Sequence, residues 1–167
     1  MNDSTLSGVD AQNQTTIERR GDRELVVTRT FNAPPSAVYK AWSRPELFRR
    51  WWAPKSIPGI SLASCEMDVR TGGKYRLEFG AEGSETMAFY GKYLDVAPNE
   101  RIVWTNDEGE DGAVTTVTFE DRDGKTLLTY HEVYPSKEAL DDALEGSAAA
   151  LPEQLNQLDD LLAGKDR

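Results

Sequence analysis

The sequence predicts an α+β domain in which a curved antiparallel sheet of six to seven strands wraps around a long C-terminal helix. Between residues 61 and 134, apolar and polar residues alternate in six stretches, as is typical of strands. The turns between these stretches are short, so we expect consecutive strands to pair antiparallel. After Pro135 the apolar residues recur at helical spacing instead. We therefore expect the helix to pack across the concave face of the sheet and leave a cavity between them.

The composition excludes several classes of function. The chain has 167 residues, the size of one domain, and a net charge of −10, which opposes nucleic acid as a partner because phosphates attract Lys and Arg. Apolar runs are too short for a membrane-spanning helix, so we expect no membrane partner. One cysteine and one histidine favour a cytoplasmic protein with no metal and no cofactor. We expect the protein to be either a monomer or a homodimer.

The first elements follow a polar N-terminus. Residues 1–22 have no apolar period and are predicted to be a flexible tail, with the folded domain at 23–167. Glu24–Phe31 is rich in β-branched and aromatic residues and predicts the first strand. A short helix is expected to begin near Pro35, and a second to run over residues 46–52.

Six further strands are predicted in the middle of the chain. Asp123–Gly124 is the strongest hairpin signal in the sequence, and Gly91 marks a plausible bulge. The six strands are Leu62–Arg70, Lys74–Phe79, Thr86–Val96, Arg101–Asn106, Ala113–Asp121 and Lys125–Tyr134.

An apolar stripe predicts the C-terminal helix. A proline inside a helix costs about 3 kcal/mol, so we expect a break near residues 146–151, with Pro152 in the first turn of the last helix. The stripe consists of Leu140, Leu144, Ala148, Leu151, Leu155, Leu158 and Leu162.

Four segments together resemble a known superfamily. They are Ala33–Pro54, Asp68–Tyr75, Tyr90–Thr105 and Thr116–Tyr130. The chain is similar to START-like, helix-grip (SRPBCC) proteins and, more narrowly, to homologues of the activator of the heat-shock-protein-90 ATPase. The resemblance implies a helix-grip fold with a hydrophobic cavity under the last helix. It implies no shared reaction, because relatives carry hydrophobic molecules, cyclise polyketides or have no assigned activity.

The sequence departs from this family at one position of interest. Members usually carry Gly-Trp where this chain has Ala150–Leu151. Because leucine is smaller than tryptophan, we expect either a larger cavity there or another side chain in the vacated space.

Eleven residues are candidates for ligand binding. The aromatic ones on the strands share the expected concave face, where they either line the cavity or fill it. The candidates are Trp51, Trp52, Tyr75, Phe79, Trp104, Phe119, Tyr130, Glu132, Tyr134, Leu151 and Leu155.

Glu132 is the one weak candidate for catalysis. It shares a strand face with Leu128 and Tyr130, so it is either a carboxyl inside the cavity or a solvated group where the strand leaves the core, and the second interpretation is favoured. His131 falls on the opposite face and is expected to be structural, and Cys65 is expected to be a buried, inert thiol.

Three functional hypotheses follow. The first is a module that binds a hydrophobic small molecule without turning it over. The second, implied by the resemblance, is an interaction module that acts on a heat-shock-protein-90-type chaperone, which would link it to the stress response. The third is a cyclase- or hydrolase-like enzyme that uses Glu132 with a nearby tyrosine.

Overall fold

The computed structural model describes residues 15–56, 61–80, 87–107 and 112–164. Within these residues, eight strands form one curved antiparallel sheet. They are β1 Thr16–Arg20, β2 Glu24–Phe31, β3 Ser61–Met67, β4 Lys74–Gly80, β5 Met87–Ala97, β6 Arg101–Thr105, β7 Val114–Arg122 and β8 Lys125–Val133. The helices are α1 Pro35–Ser43, α2 Pro45–Phe48, α3 Lys137–Glu145 and α4 Leu151–Leu162, with a 3₁₀ turn at Ser147–Ala150 between the last two.

The order of strands across the sheet is β1-β2-β8-β7-β6-β5-β4-β3. Strands β3 to β8 follow one another as a meander, because short turns join them. The turn between β7 and β8 has positive φ at both Asp123 and Gly124, as the sequence motif predicts for a two-residue hairpin. β2 closes the arrangement by pairing with β8, from Glu24 opposite Val133 to Phe31 opposite Thr126.

The sheet has eight strands, not the six to seven that the sequence predicts. The additional strand is β1, which pairs with β2 from Thr16 opposite Thr28 to Arg20 opposite Glu24. The prediction of a flexible tail is therefore wrong for residues 16–20, whereas residues 1–14 lie outside the described part of the chain. All five β1 side chains are exposed, so the strand has no apolar alternation to reveal it.

The middle strand β5 bends across the sheet. Its first half pairs with β4 and its second half with β6, and the register shifts between Tyr93 and Asp95. The bulge predicted at Gly91 is therefore displaced by a few residues. Gly91 has a different role, because a Cβ there would lie 2.0 Å from the carbonyl oxygen of Thr105. Only glycine allows this approach of the two backbones.

The C-terminal helix is interrupted where the sequence predicts it. Ser136 caps α3 by accepting a hydrogen bond from the N–H of Ala139. The 3₁₀ turn follows, and Pro152 lies in the first turn of α4, where its missing N–H costs no hydrogen bond. The single long helix of the prediction is thus two helices, α3 and α4. Near the start of the chain, the short helix α2 ends at Phe48, four residues earlier than expected.

The hydrophobic core lies between the helices and the concave face of the sheet. The leucine stripe supplies its helical side through Leu140, Leu151, Leu155 and Leu158, each at most 2% exposed. The two interrupted helices therefore present one continuous apolar surface to the strands.

Candidate ligand-binding cavity

A cavity of about 560 Å³ lies between the concave face of the sheet and the C-terminal helical segment. Strands β3 to β6 and β8 form its floor, and the 3₁₀ turn with the first residues of α4 forms its roof. Side chains of Phe48 and Trp52 close one wall. Pockets of this volume, mostly apolar and with a few polar groups, are typical of small-molecule sites.

Seven of the eleven candidate residues line this cavity. They are Trp52, Tyr75, Phe79, Trp104, Tyr130, Glu132 and Leu151. The five of them that lie on strands reach the concave face because side chains alternate along a strand, as expected. Their contact with a ligand stays a prediction.

The other four candidates are displaced from the cavity wall. Trp51 is fully buried, and its indole N–H donates to the carbonyl oxygen of Ala41 at 3.0 Å. Phe119 packs edge-on against Tyr39, with ring centroids 5.6 Å apart. Leu155 is buried in the core, and Tyr134 reaches the site only through Glu132. The strand or helix period therefore predicts which face of its element each of these residues lies on. It does not predict whether the side chain lines the cavity or is buried behind the cavity wall.

Several lining residues were absent from the candidates. Leu77 lies between Tyr75 and Phe79 on the same face, so the period of two could have found it. Trp42, on α1, reaches the cavity only because α1 packs against the sheet, and nothing in the sequence signals this. The remaining additions are Phe48, Pro54, Met67, Gly80, Met87, Phe89, Tyr93, Ile102, Asn106, Gly146, Ala148, Ala150 and Gln154.

Aromatic rings surround Trp42 and make one wall rigid. Its ring centroid lies 4.8 Å from that of Trp51, 5.8 Å from that of Trp52 and 6.0 Å from that of Trp104. Trp104 in turn packs edge-on against Tyr130 at 6.2 Å. Such pairs contribute about 0.5–1.5 kcal/mol each beyond their buried area.

One end of the cavity is polar and is built around Glu132, which is 7% exposed. Its Oε2 accepts hydrogen bonds from Thr115 Oγ1 at 2.7 Å and from the Tyr130 hydroxyl at 2.8 Å. Its Oε1 accepts from the Tyr134 hydroxyl. The expectation of a solvated carboxyl is therefore wrong, because β8 remains paired on both sides to its end and Tyr134 covers it.

The tyrosine hydroxyl groups around Glu132 stay protonated and donate hydrogen bonds to it. Burial first, and then the charge of Glu132, raises the pKa of Tyr130 well above its usual range, and the same two causes raise the pKa of Tyr134. Both tyrosines therefore keep their protons at neutral pH. Asn106 extends the cluster by donating from Nδ2 to Thr115 Oγ1 at 3.1 Å.

Two glutamines of α4 attach the loop that carries Trp52 and Pro54. Gln157 donates from Nε2 to the carbonyl oxygens of Trp51 at 2.8 Å and Ala53 at 2.9 Å, and its Oε1 accepts from the N–H of Lys55 at 2.7 Å. Gln154 donates from Nε2 to the carbonyl oxygen of Trp52 at 2.6 Å. These four hydrogen bonds, here called the glutamine clamp, fix the wall of the cavity relative to its roof.

The reactive residue types noted in the sequence lie away from the cavity wall. His131 pairs with Glu24 at 2.8 Å between Nε2 and Oε1, on the opposite face of the sheet as predicted. Burial raises the pKa of the Cys65 thiol to about 11, which agrees with an inert side chain. In the ranges that the structure describes, no group of three or more His, Cys, Asp or Glu residues is placed to hold a metal ion. No helix there has the length and apolar character needed to cross a bilayer.

The sequence profile of a known family fits this architecture. The family described as Activator of Hsp90 ATPase homolog 1-like protein matches residues 32–163. The chain belongs to this family. Comparison with curated proteins gives no significant match.

Solved structures of similar proteins share the fold. A protein from Rhodobacter sphaeroides superposes with a TM-score of 0.79 at 24% identity, over 90% of this chain and 99% of that one. A protein from Staphylococcus epidermidis gives 0.76 at 27% identity, over 91% and 96%. An AHSA1-like protein from Aeromonas hydrophila gives 0.67 at 20% identity, over 85% and 96%. The helix-grip architecture that the sequence resemblance implies is therefore confirmed.

Proposed function

We propose that the protein binds an apolar small molecule in the cavity between the sheet and α4. The observation that carries this proposal is a partly open space of about 560 Å³, lined mostly by aromatic and aliphatic side chains, with the buried carboxyl group of Glu132 at one end. A core that served stability alone would be close-packed, because an unfilled volume forfeits contacts between its lining atoms. Leu151 lines the space at the position where the sequence resemblance implies tryptophan, and this smaller side chain leaves room for a ligand.

The side chains that line the cavity favour ligand binding over catalysis. Glu132 already accepts three hydrogen bonds, and Tyr130 and Tyr134 retain their protons at neutral pH. A general acid must give up its proton near the working pH, which neither tyrosine does, and the three hydrogen bonds to Glu132 compete with its use as a general base. Burial of apolar ligand surface contributes about 25 cal/mol per Å², opposed by the lost freedom of the ligand. We expect micromolar affinity from this balance.

A pair of neighbouring alanines provides the test. Ala150 lines the cavity, whereas Ala149 is exposed on the same 3₁₀ turn. Ala150→Phe should fill part of the cavity and weaken binding of the neutral dye Nile red by about tenfold, equivalent to about 1.4 kcal/mol. Ala149→Phe is the matched control and should bind the dye like the wild type. Fluorescence titration measures both, with circular dichroism as the check on folding. The proposal fails if the wild type does not bind Nile red, or if both variants bind it equally well.

Family membership favours a second candidate function, action on a heat-shock-protein-90-type ATPase. The match over residues 32–163 supports it through the family's description alone. The test is the ATPase rate of a purified chaperone of this type with increasing amounts of the protein. An increase in rate that saturates would support the function, and an unchanged rate at saturating protein would remove it.

A further inference from the structure

The polar end of the cavity contains a buried acid with no basic partner. The described residues that bind the Glu132 carboxyl group are Thr115, Tyr130 and Tyr134, all of them hydroxyl donors. None of the described residues that line the cavity is a lysine, an arginine or a histidine. Burying a carboxylate is costly unless a cation or enough hydrogen bonds compensate for lost water. The three hydrogen bonds reach both oxygens of Glu132, while none of the described lining residues supplies a positive charge on the side that faces the cavity.

The hydrogen bonds around Glu132 leave one position open. A carboxylate offers about four acceptor positions, two on each oxygen. Thr115 and Tyr130 occupy both positions on Oε2, whereas Tyr134 occupies only one on Oε1. A ligand with one hydrogen-bond donor would complete the set, and a ligand carboxylate or phosphate would meet repulsion instead.

The aromatic walls next to this end also favour a positive charge. The Tyr130 hydroxyl donates to Glu132, and the Trp104 ring lies 6.2 Å from that of Tyr130. Both residues line the cavity. Faces of tryptophan and tyrosine rings attract cations, most strongly where water is excluded.

We infer that the ligand of this cavity is a hydrophobic amine, whose protonated nitrogen binds Oε1 of Glu132 while its apolar body lies among the aromatic side chains. This inference rests on the proposed function and specifies its ligand class. Glu132 acts as the residue that selects the head group, and the apolar cavity accepts the remainder.

Three ligands with the same chain and different head groups test the inference: decylamine, decanol and decanoate. Each is titrated against wild-type protein loaded with Nile red, at physiological salt. We expect decylamine to displace the dye at about tenfold lower concentration than decanol, because a charge-assisted hydrogen bond is about twice as strong as a neutral one. Decanoate should be the weakest of the three.

Two matched variants assign the preference to one carboxyl group. Glu132→Gln keeps the size of the side chain and an acceptor for the hydroxyl donors, and should reduce the preference for decylamine over decanol to about one. Glu120→Gln removes the same charge from an exposed position on β7 and should retain the preference. The head-group comparison on the wild type is informative even if Glu132→Gln does not fold.

Distinct outcomes overturn the two proposals. If Nile red binds but decanol or decanoate displaces it as well as decylamine does, or if none of the three does, the amine inference is wrong and apolar binding stands. A preference that survives in Glu132→Gln also overturns the inference. If the wild type does not bind Nile red, the proposed function fails, and the amine inference that rests on it fails with it.

Discussion

Replacing Gln157 by leucine removes the centre of the glutamine clamp without changing the volume of the side chain much. Gln157 is 8% exposed and makes three hydrogen bonds to the loop after α2, beside one from Gln154 to Trp52 and two from Ser56 to Glu153. Leucine can make none of them. The carbonyl oxygens of Trp51 and Ala53 and the N–H of Lys55 would each lose this partner.

The expected loss follows from the burial of these three groups. Trp51 is fully buried, Ala53 is half-buried and Lys55 is exposed, so water can replace the hydrogen bond freely at Lys55, in part at Ala53 and least at Trp51. A buried polar group left unsatisfied costs about 1–3 kcal/mol. With two such carbonyl groups, we expect Gln157→Leu to lower the free energy of unfolding by about 2–4 kcal/mol. For a domain of this size, that corresponds to a decrease in Tm of about 4–16 °C.

Urea unfolding followed by tryptophan fluorescence measures this loss, because Trp51 and Trp52 lie in the attached loop. The control is Asp142→Leu, which places the same residue at an exposed position of α3 and should change stability by less than about 0.5 kcal/mol. Since Trp52 and Pro54 form part of the cavity wall, Gln157→Leu should also weaken Nile red binding.

A small effect would refute the reasoning. If Gln157→Leu loses less than about 1 kcal/mol, the two carbonyl groups have found other partners and the clamp does not hold the loop. If stability falls but Nile red affinity is unchanged, the loop does not define the cavity.

Three further predictions concern the frame around the site. Gly91→Ala should lose about 2 kcal/mol or more in urea unfolding, because its Cβ would collide with the carbonyl oxygen of Thr105. Ser136→Ala should cost about 1 kcal/mol by removing the N-cap of α3, measured in the same way. Stability should fall as pH rises above about 10, because the unfolded chain loses tyrosine protons before the folded chain does; absorbance titration alongside urea unfolding follows this. The tyrosines whose pKa is raised by burial are Tyr39, Tyr93, Tyr130 and Tyr134.

Each of these predictions has a control or a contradicting result. Lys92→Ala, at the exposed position next to Gly91, should have little effect, and equal losses at both positions would contradict the steric argument. Ser136→Asp should retain the stability that Ser136→Ala loses, since aspartate also caps helices. Ionisation of all tyrosines near pH 10 without unfolding would contradict the burial of their hydroxyl groups.

Local sequence patterns predict the order of all the elements except β1, and the face on which most strand and helix residues lie. The period of two placed Tyr75, Phe79 and Tyr130 on the concave face, and the helical stripe placed Leu151 opposite them. Pro152 located the break before α4, and the Asp123–Gly124 pair located a hairpin. These features are local, since backbone propensity and side-chain alternation act over a few residues.

Which of these side chains line the cavity, and which lie buried in the core behind it, depends on the packing of segments that are distant in sequence. Trp51 and Trp52 are neighbours, yet one is fully buried and the other lines the cavity. Glu132 is a buried acid because Thr115 of the neighbouring strand β7 and Tyr134, just beyond the end of β8, both bind it, and β1 formed because β2 offered it an edge. Depth depends on which distant segments cover a residue, and no local pattern contains that information.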